Sequence, residues 1–138
     1  MTHTIDHWVA TAAANTPDKP ALIGDDASLT YAEFLGAIDY AAAALTRGGV
    51  GYGARVAWYG LNRPEVFTLL FACARLGAIF VPLNWRLADG EINEIIADCA
   101  PTILIHDDHF AAKASAITTC LVVAAEVFFA PSDPPSDP

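Results

Sequence analysis

The sequence predicts an α/β fold: a mainly parallel sheet with helices on both faces. Three observations lead there. Short apolar runs (PALI, RVAWYG, IFV, TILI, CLVVA) alternate with stretches of helical period along the chain. All but CLVVA are bounded by glycine, proline or aspartate, the residues that end strands. The intervals between runs are long enough for the helical crossovers that parallel strands require. At 138 residues the chain suffices for one domain. A domain of that size buries roughly two-thirds of its unfolded surface.

Taken in order, His7 to Asn15 has weak helical character and stops at Thr16-Pro17. Pro20 to Ile23 reads as a short strand closing in the turn Gly24-Asp25-Asp26. The next helix start is well marked, because Thr30 and Glu33 have the spacing of a capping box and Leu29 and Phe34 that of a hydrophobic staple. Phe34, Leu35, Ile38, Ala41, Ala42 and Leu45 then share one helical face. Arg47 suits the last turn, and Gly48-Gly49 ends it. Arg55 to Gly60 reads as a buried strand. Pro64 and Glu65 open a helix whose body, Glu65 to Leu76, is apolar nearly all round, so it is expected to be among the most buried. Gly77 stops it, and Ile79 to Val81 is the following strand.

Asp89 to Asp98 reads as a short helix with Ile92, Ile95 and Ile96 turned inward. Thr102 to Ile105 is a strand, His109 to Ile117 a helix and Cys120 to Ala124 a strand. The chain ends in PSDPPSDP, a composition that cannot build a packed element. The expected division is a folded part over residues 1–126 and a Pro/Ser/Asp-rich tail or linker over 127–138.

Sixteen acids against seven bases give a net charge of −9, which argues against a nucleic-acid partner. The three cysteines, Cys73, Cys99 and Cys120, are odd in number, widely spaced and each in an apolar segment. Buried free thiols in a reducing compartment are the expectation. The first residues lack a basic start and an apolar core, so no secretory signal is read. Val66 to Leu83 is apolar enough to suggest a membrane span. Arg75, Gly77 and Pro82 divide it instead into a buried helix and a buried strand. These readings make the chain cytoplasmic.

Three stretches invite a functional reading. GGVGYG, residues 48–53, follows a helix and opens a strand, the reverse of a phosphate-cradling loop, so a helix cap and turn are expected. HDDH, residues 106–109, offers metal-ligating side chains, but four adjacent residues cannot all face one ion. A polar loop with Asp107 or Asp108 as N-cap is the better reading. Arg86, in LNWRL, follows a strand end directly, where open α/β sheets keep their ligands, and its guanidinium suits phosphate or carboxylate. The alternative is an ordinary surface ion pair with Asp89 or Glu91. Trp85 either stacks on a ring or covers the edge of the core. No nucleophile elbow or catalytic triad is readable, and no catalytic or metal-ligating residue is assigned.

The order of landmarks is that of a known family. TPDKPALI, SLTYAEFLGAI, GVGYGARVAWYGLNRPEVFTLLFACARLGAIFVPLNWRL and EINEIIADCAPTILI follow at the spacing of the AMP-forming acyl-CoA synthetases. The chain resembles the N-terminal portion of these adenylate-forming enzymes over roughly residues 13–108. LTYAEF is similar to the first core motif of the family and LGAIFVPLN to the second. The resemblance implies a fold that is part of a large N-terminal domain. It implies ATP-dependent joining of a fatty or aryl acid to CoA, giving acyl-CoA, AMP and pyrophosphate. ATP, Mg²⁺ and CoA are then the cofactors of the complete enzyme. Asn84, Arg86 and Leu87 match the family's N-x-R-L loop, which implies that Arg86 contacts the CoA nucleotide phosphates. Trp85 stands at the variable position and receives no role.

The Ser/Thr/Gly-rich loop ending in Pro-Lys and the catalytic lysine of the family are not among these residues; Lys19 and Lys113 lie in other settings. The sequence thus resembles the front quarter of such an enzyme, expected to bind no cofactor and to be inactive alone. The other reading is a non-catalytic α/β module that binds a partner chain, such as the rest of a split synthetase, or itself.

Overall fold

The computed structural model describes residues 5–24 and 28–130. Helix α1 (Asp6–Asn15) leads into strand β1 (Pro20–Ile23), which pairs antiparallel with β2 (Ser28–Thr30). β2 is an addition to the sequence reading, and it places β1 in a two-stranded hairpin outside the main sheet. A short connection can join antiparallel strands, whereas parallel ones need a crossover. Of the turn expected at Gly24-Asp25-Asp26, the two aspartates lie outside the described residues, as does the PSDPPSDP segment.

Helix α2 (Tyr31–Arg47) starts as the sequence dictates. The Thr30 hydroxyl accepts from the Glu33 amide at 3.2 Å, and the Glu33 carboxylate accepts from the Thr30 amide at 3.0 Å. Its inward face consists of Phe34, Ile38, Ala41, Ala42 and Leu45, as the helical period requires. Strand β3 (Arg55–Tyr59) follows, then α3 (Pro64–Leu76), β4 (Ile79–Pro82), α4 (Asp89–Cys99) and β5 (Ile103–His106). Gly77 closes α3 at φ 70°, a left-handed conformation in which a side chain is strained.

Strand order in the main sheet is β4-β3-β5, then β6 (Leu121–Ala124), and every pair is parallel. Val56 pairs with Phe80 on one side and Ile103 on the other. β3 and β5 are central and buried nearly throughout. Alternate residues face opposite ways: Val56, Trp58, Ile103 and Ile105 join the core under α2 and α3, while Ala57, Tyr59 and Leu104 pack beneath α4. Helices therefore cover both faces of the sheet. Among the described residues no helix is long and apolar enough to cross a membrane.

α3 is among the most buried of the longer helices, as expected, with Thr68, Leu69, Ala72 and Cys73 facing inward and Phe67 and Leu70 exposed. It packs on α2, on β4 and on α1, where Arg75 Nε meets Asp6 at 3.1 Å, and leaves Phe67 and Leu70 on its outer side. Burial in that inward face pushes the Cys73 thiol up to about 12. Two other expectations need correction. The helix expected over His109–Ile117 is shorter, a 3-10 turn (Asp108–Phe110) followed by α5 (Ala111–Ala114). Packed structure also runs past residue 126, since a further helix, α6 (Ala125–Phe128), buries Phe128 in the core.

Candidate functional site at the carboxyl edge of the sheet

The crossover from β3 leads to β4 on one flank, and that from β5 leads to β6 on the other. In doubly wound sheets such a divergence opens a crevice at the carboxyl ends of the strands. Here the chain's own groups close it. Asp107, almost fully buried, accepts from the Leu61 amide at 2.6 Å through Oδ2 and from the His109 amide at 3.0 Å through Oδ1. Asp107, rather than Asp108, is thus the N-cap, and the same carboxylate ties the β5 end to the β3 end. Gly60 is what allows the approach. A Cβ there would lie 2.6 Å from Asp107 Oδ2 and 2.7 Å from the Trp58 ring. Trp58 Nε1 in turn donates to the Leu61 carbonyl at 3.2 Å.

HDDH accordingly splits. His106 and Asp107 are buried, with His106 Nδ1 2.9 Å from the Asp107 carbonyl, while Asp108 and His109 are exposed. Among the described residues no three His, Cys, Asp or Glu side chains are grouped to hold a metal ion. Asp108 meets Glu126 instead. Its hydrogen bond to Glu126 raises the Asp108 carboxyl above its ordinary value and lowers that of Glu126. Arg63 stands alongside, 3.3 Å from Glu65 and 3.7 Å from Glu126.

Arg86 lies beyond the end of β4. The Leu83 amide donates to the Trp58 carbonyl at 2.8 Å, after which the chain leaves the sheet. The Asn84 carboxamide oxygen accepts from the Arg86 amide at 3.1 Å, and the Leu87 amide donates to the Asn84 carbonyl at 3.1 Å. This turn exposes Arg86, whose guanidinium carbon lies 4.7 Å from the centroid of the Trp85 ring. Trp85 itself leans on Phe110 at 5.9 Å between centroids. It is both a cover for the core and a platform for the cation.

The ion pair that the sequence offered for Arg86 is not made. Asp89 pairs with Lys113 at 3.3 Å, and the Glu91 carboxylate accepts from the Ala88 amide at 3.4 Å. Of Arg63, Arg86 and Lys113, cations on segments that follow strand ends, Arg86 alone has no ion pair among the described residues. Sequence reasoning missed the stacking of Trp85 under Arg86 and the tie from Asp107 to Leu61. An aromatic beside an arginine was the available signal for the first. The second joins residues 46 apart and had none.

The sheet order, the helices on both faces and the N-x-R-L turn after β4 are set beside known proteins as follows. The AMP-binding enzyme profile matches residues 9–137. The chain belongs to the AMP-binding enzyme family. Among curated members it is similar to an indoleacetate–CoA ligase of Aromatoleum aromaticum, 39% identical over 125 residues, 91% of this chain and 24% of that protein. It is also similar to a feruloyl-CoA synthase of an Amycolatopsis species, 36% identical over 134 residues, 95% of this chain and 27% of that protein. The N-terminal domain of FACL13 from Mycobacterium tuberculosis superposes with a TM-score of 0.85 at 27% identity, over 92% of this chain and 34% of that one. A fatty acyl-CoA synthetase of the same organism gives 0.83 at 28% identity, over 89% and 26%. This AMP-binding family member spans about a quarter of the length of the curated relatives it matches.

Proposed function

We propose that this family member supplies the N-terminal scaffold of an ATP-dependent acid–CoA ligase working in the cytoplasm. The match of the family profile over residues 9–137 carries the reading. The overall reaction joins a carboxylic acid to CoA through an acyl-adenylate, releasing first pyrophosphate and then AMP. The names of the two curated relatives favour an aryl or arylalkanoic acid, and those of the structural neighbours a fatty acid. ATP with Mg²⁺ would supply the leaving group that activates the carboxylate.

The described residues do not fit ATP. Lys113 is paired with Asp89, and the carboxyl-edge crevice is filled by Asp107. They do fit one phosphate of CoA, through Arg86. Its guanidinium is exposed, carries no ion pair, and is held over Trp85 by the Asn84 turn. A forked donor so placed can donate to phosphate oxygens without breaking an existing ion pair.

In the complete ligase, Arg86→Ala is expected to raise the KM for CoA about tenfold or more, since a charge-assisted hydrogen bond contributes about 1.5–3 kcal/mol. Adenylate formation, read as pyrophosphate exchange into ATP, should be unchanged. An unaltered CoA dependence would remove Arg86 from the site. The 138-residue chain alone is expected to show no carboxylate-dependent exchange with short, long or aromatic acids, because adenylation needs a phosphate-wrapping loop, a metal ligand and a cation converging on the reacting atoms. Exchange above a buffer blank that survives repurification would overturn that expectation. A second reading, a module that pairs with another polypeptide, draws on the uncovered outer side of α3.

A further inference from the structure

Tyr59 ends β3 on the α4 side of the sheet, 1% exposed, with its ring edge-on to Phe110 at 4.8 Å between centroids. Its hydroxyl makes no hydrogen bond to any described residue. Buried polar groups are nearly always paired, so an unpaired one at a cavity points to a partner from outside. Tyr59 lines a cleft of about 330 Å³, with Asp89 and Lys113 at its rim. Burial pushes the phenol above its ordinary value, while Lys113 lowers it and Asp89 raises it. At neutral pH the hydroxyl therefore keeps its proton, and it can donate as well as accept. The cleft continues toward the other edge of the sheet. A second space, of about 510 Å³, reaches Thr118 and Thr119, and Asn93, Ala116 and Ile117 line both. The two form one groove between α4 and the segment that begins with α5.

We propose that this groove binds a small, uncharged phenol, whose hydroxyl pairs with that of Tyr59 and whose ring lies between Ile92 and Ile117. Three features select this ligand class. The volume is that of small-molecule sites, about 300–1,000 Å³, and such sites combine aliphatic walls with a few placed polar groups. Ile92, Ile96 and Ile117 supply the walls here. At the rim Lys113 and Asp89 stand 3.3 Å apart and cancel each other, so neither an anion nor a cation finds an unopposed countercharge. An anion would also approach a chain of net charge −9. Two hydroxyls, finally, satisfy one another as donor and acceptor. Arg86 lines neither space, so the groove is separate from the phosphate contact proposed above.

The test titrates the whole nitrogen-15-labelled chain with 4-methylphenol, toluene and 4-methylbenzoate and follows the amide signals by NMR. Saturable shifts at Asn93, Ala116 and Ile117 are expected with 4-methylphenol, with a Kd of about 1 mM or tighter for a ligand of so few atoms. Toluene lacks the hydroxyl, and 4-methylbenzoate must bring a charge out of water, so each should bind about tenfold more weakly. Tyr59→Phe should weaken 4-methylphenol about tenfold and leave toluene unchanged. Its urea midpoint should equal that of the parent chain, because the lost hydroxyl has no partner in the fold. Ala116→Trp, at an exposed position that lines both spaces, should fill the groove and abolish binding of 4-methylphenol, and it tests the site even where Tyr59→Phe fails to fold.

Absence of saturable shifts overturns the proposal, as do shifts confined to residues outside the groove. So does toluene or 4-methylbenzoate binding as tightly as 4-methylphenol, or full affinity in Tyr59→Phe or Ala116→Trp. A lowered urea midpoint in Tyr59→Phe would show the hydroxyl already engaged within the fold, and overturns it as well. The readout is binding to a chain expected to be inactive alone, so failure here leaves the ligase reading untouched.

Discussion

Trp58→Ala is expected to lower the unfolding free energy by about 3–5 kcal/mol, the range for truncating a large buried aromatic. Trp58 lies on central strand β3, is 2% exposed, and packs with the core under α2 and α3. Its indole also donates to the Leu61 carbonyl, so truncation removes both a large apolar contact and the hydrogen bond that steadies the β3 exit. Domains of this kind have only about 5–15 kcal/mol in total. Urea unfolding should show the midpoint falling at unchanged slope, the signature of lost stability without a change in compactness. Trp58→Phe should recover most of the loss. A cost below about 1 kcal/mol would mean that the β3–α3 core is not packed as described.

The second large effect is at the filled crevice. Asp107→Ala is expected to cost about 3 kcal/mol, because each bond to an ionised acceptor contributes about 1.5–3 kcal/mol and two amides lose theirs. Gly60→Ala is destabilising for a different reason. The new methyl would meet Asp107 Oδ2 and the Trp58 ring well inside contact distance, and both are anchored by hydrogen bonds. Because the clash is partly with Asp107, the two changes should not add. In a double-mutant cycle, Gly60→Ala should cost less by about 1 kcal/mol or more once Asp107 is alanine. Additive costs would show that the Asp107 carboxylate does not lie against Gly60. The engaged Asp107 thus bridges the divergence between β3 and β5.

Elements whose signals are local were legible in the sequence. Thr30 and Glu33 are three residues apart, so the start of α2 could be read without its surroundings. The ends of α2 and α3 were equally plain, since Gly48 and Gly77 follow their last turns. α4 has no such mark. It ends at Ala100 in a left-handed conformation (φ 44°), a place where glycine is the usual residue. β2 and α6 were missed because three or four residues carry too little periodicity to separate strand from turn or helix from tail.

The exposed side of α3 was not legible for another reason. An apolar surface shows what a helix could bury, while what covers it depends on residues elsewhere. Arg86 was legible as a candidate from its place after β4, but its state was not. Whether it pairs with Asp89 depends on Lys113, which takes Asp89 first from a helix on the far side of β5 in sequence.

Because β3 sits inside the sheet, its two edges are completed at different times during synthesis. β4 follows it after one helix, but β5 must wait until Ile103–His106 have been made. At about 5–20 residues per second, the stretch between Pro82 and Ile103 takes about one to four seconds to emerge. Throughout that interval the nascent chain holds an apolar strand with one bare row of amides and carbonyls. Those groups are a template for any extended segment nearby. On a crowded polysome, the vulnerable moment of this polypeptide is therefore the pause before β5 arrives, and slowing elongation there would lengthen it.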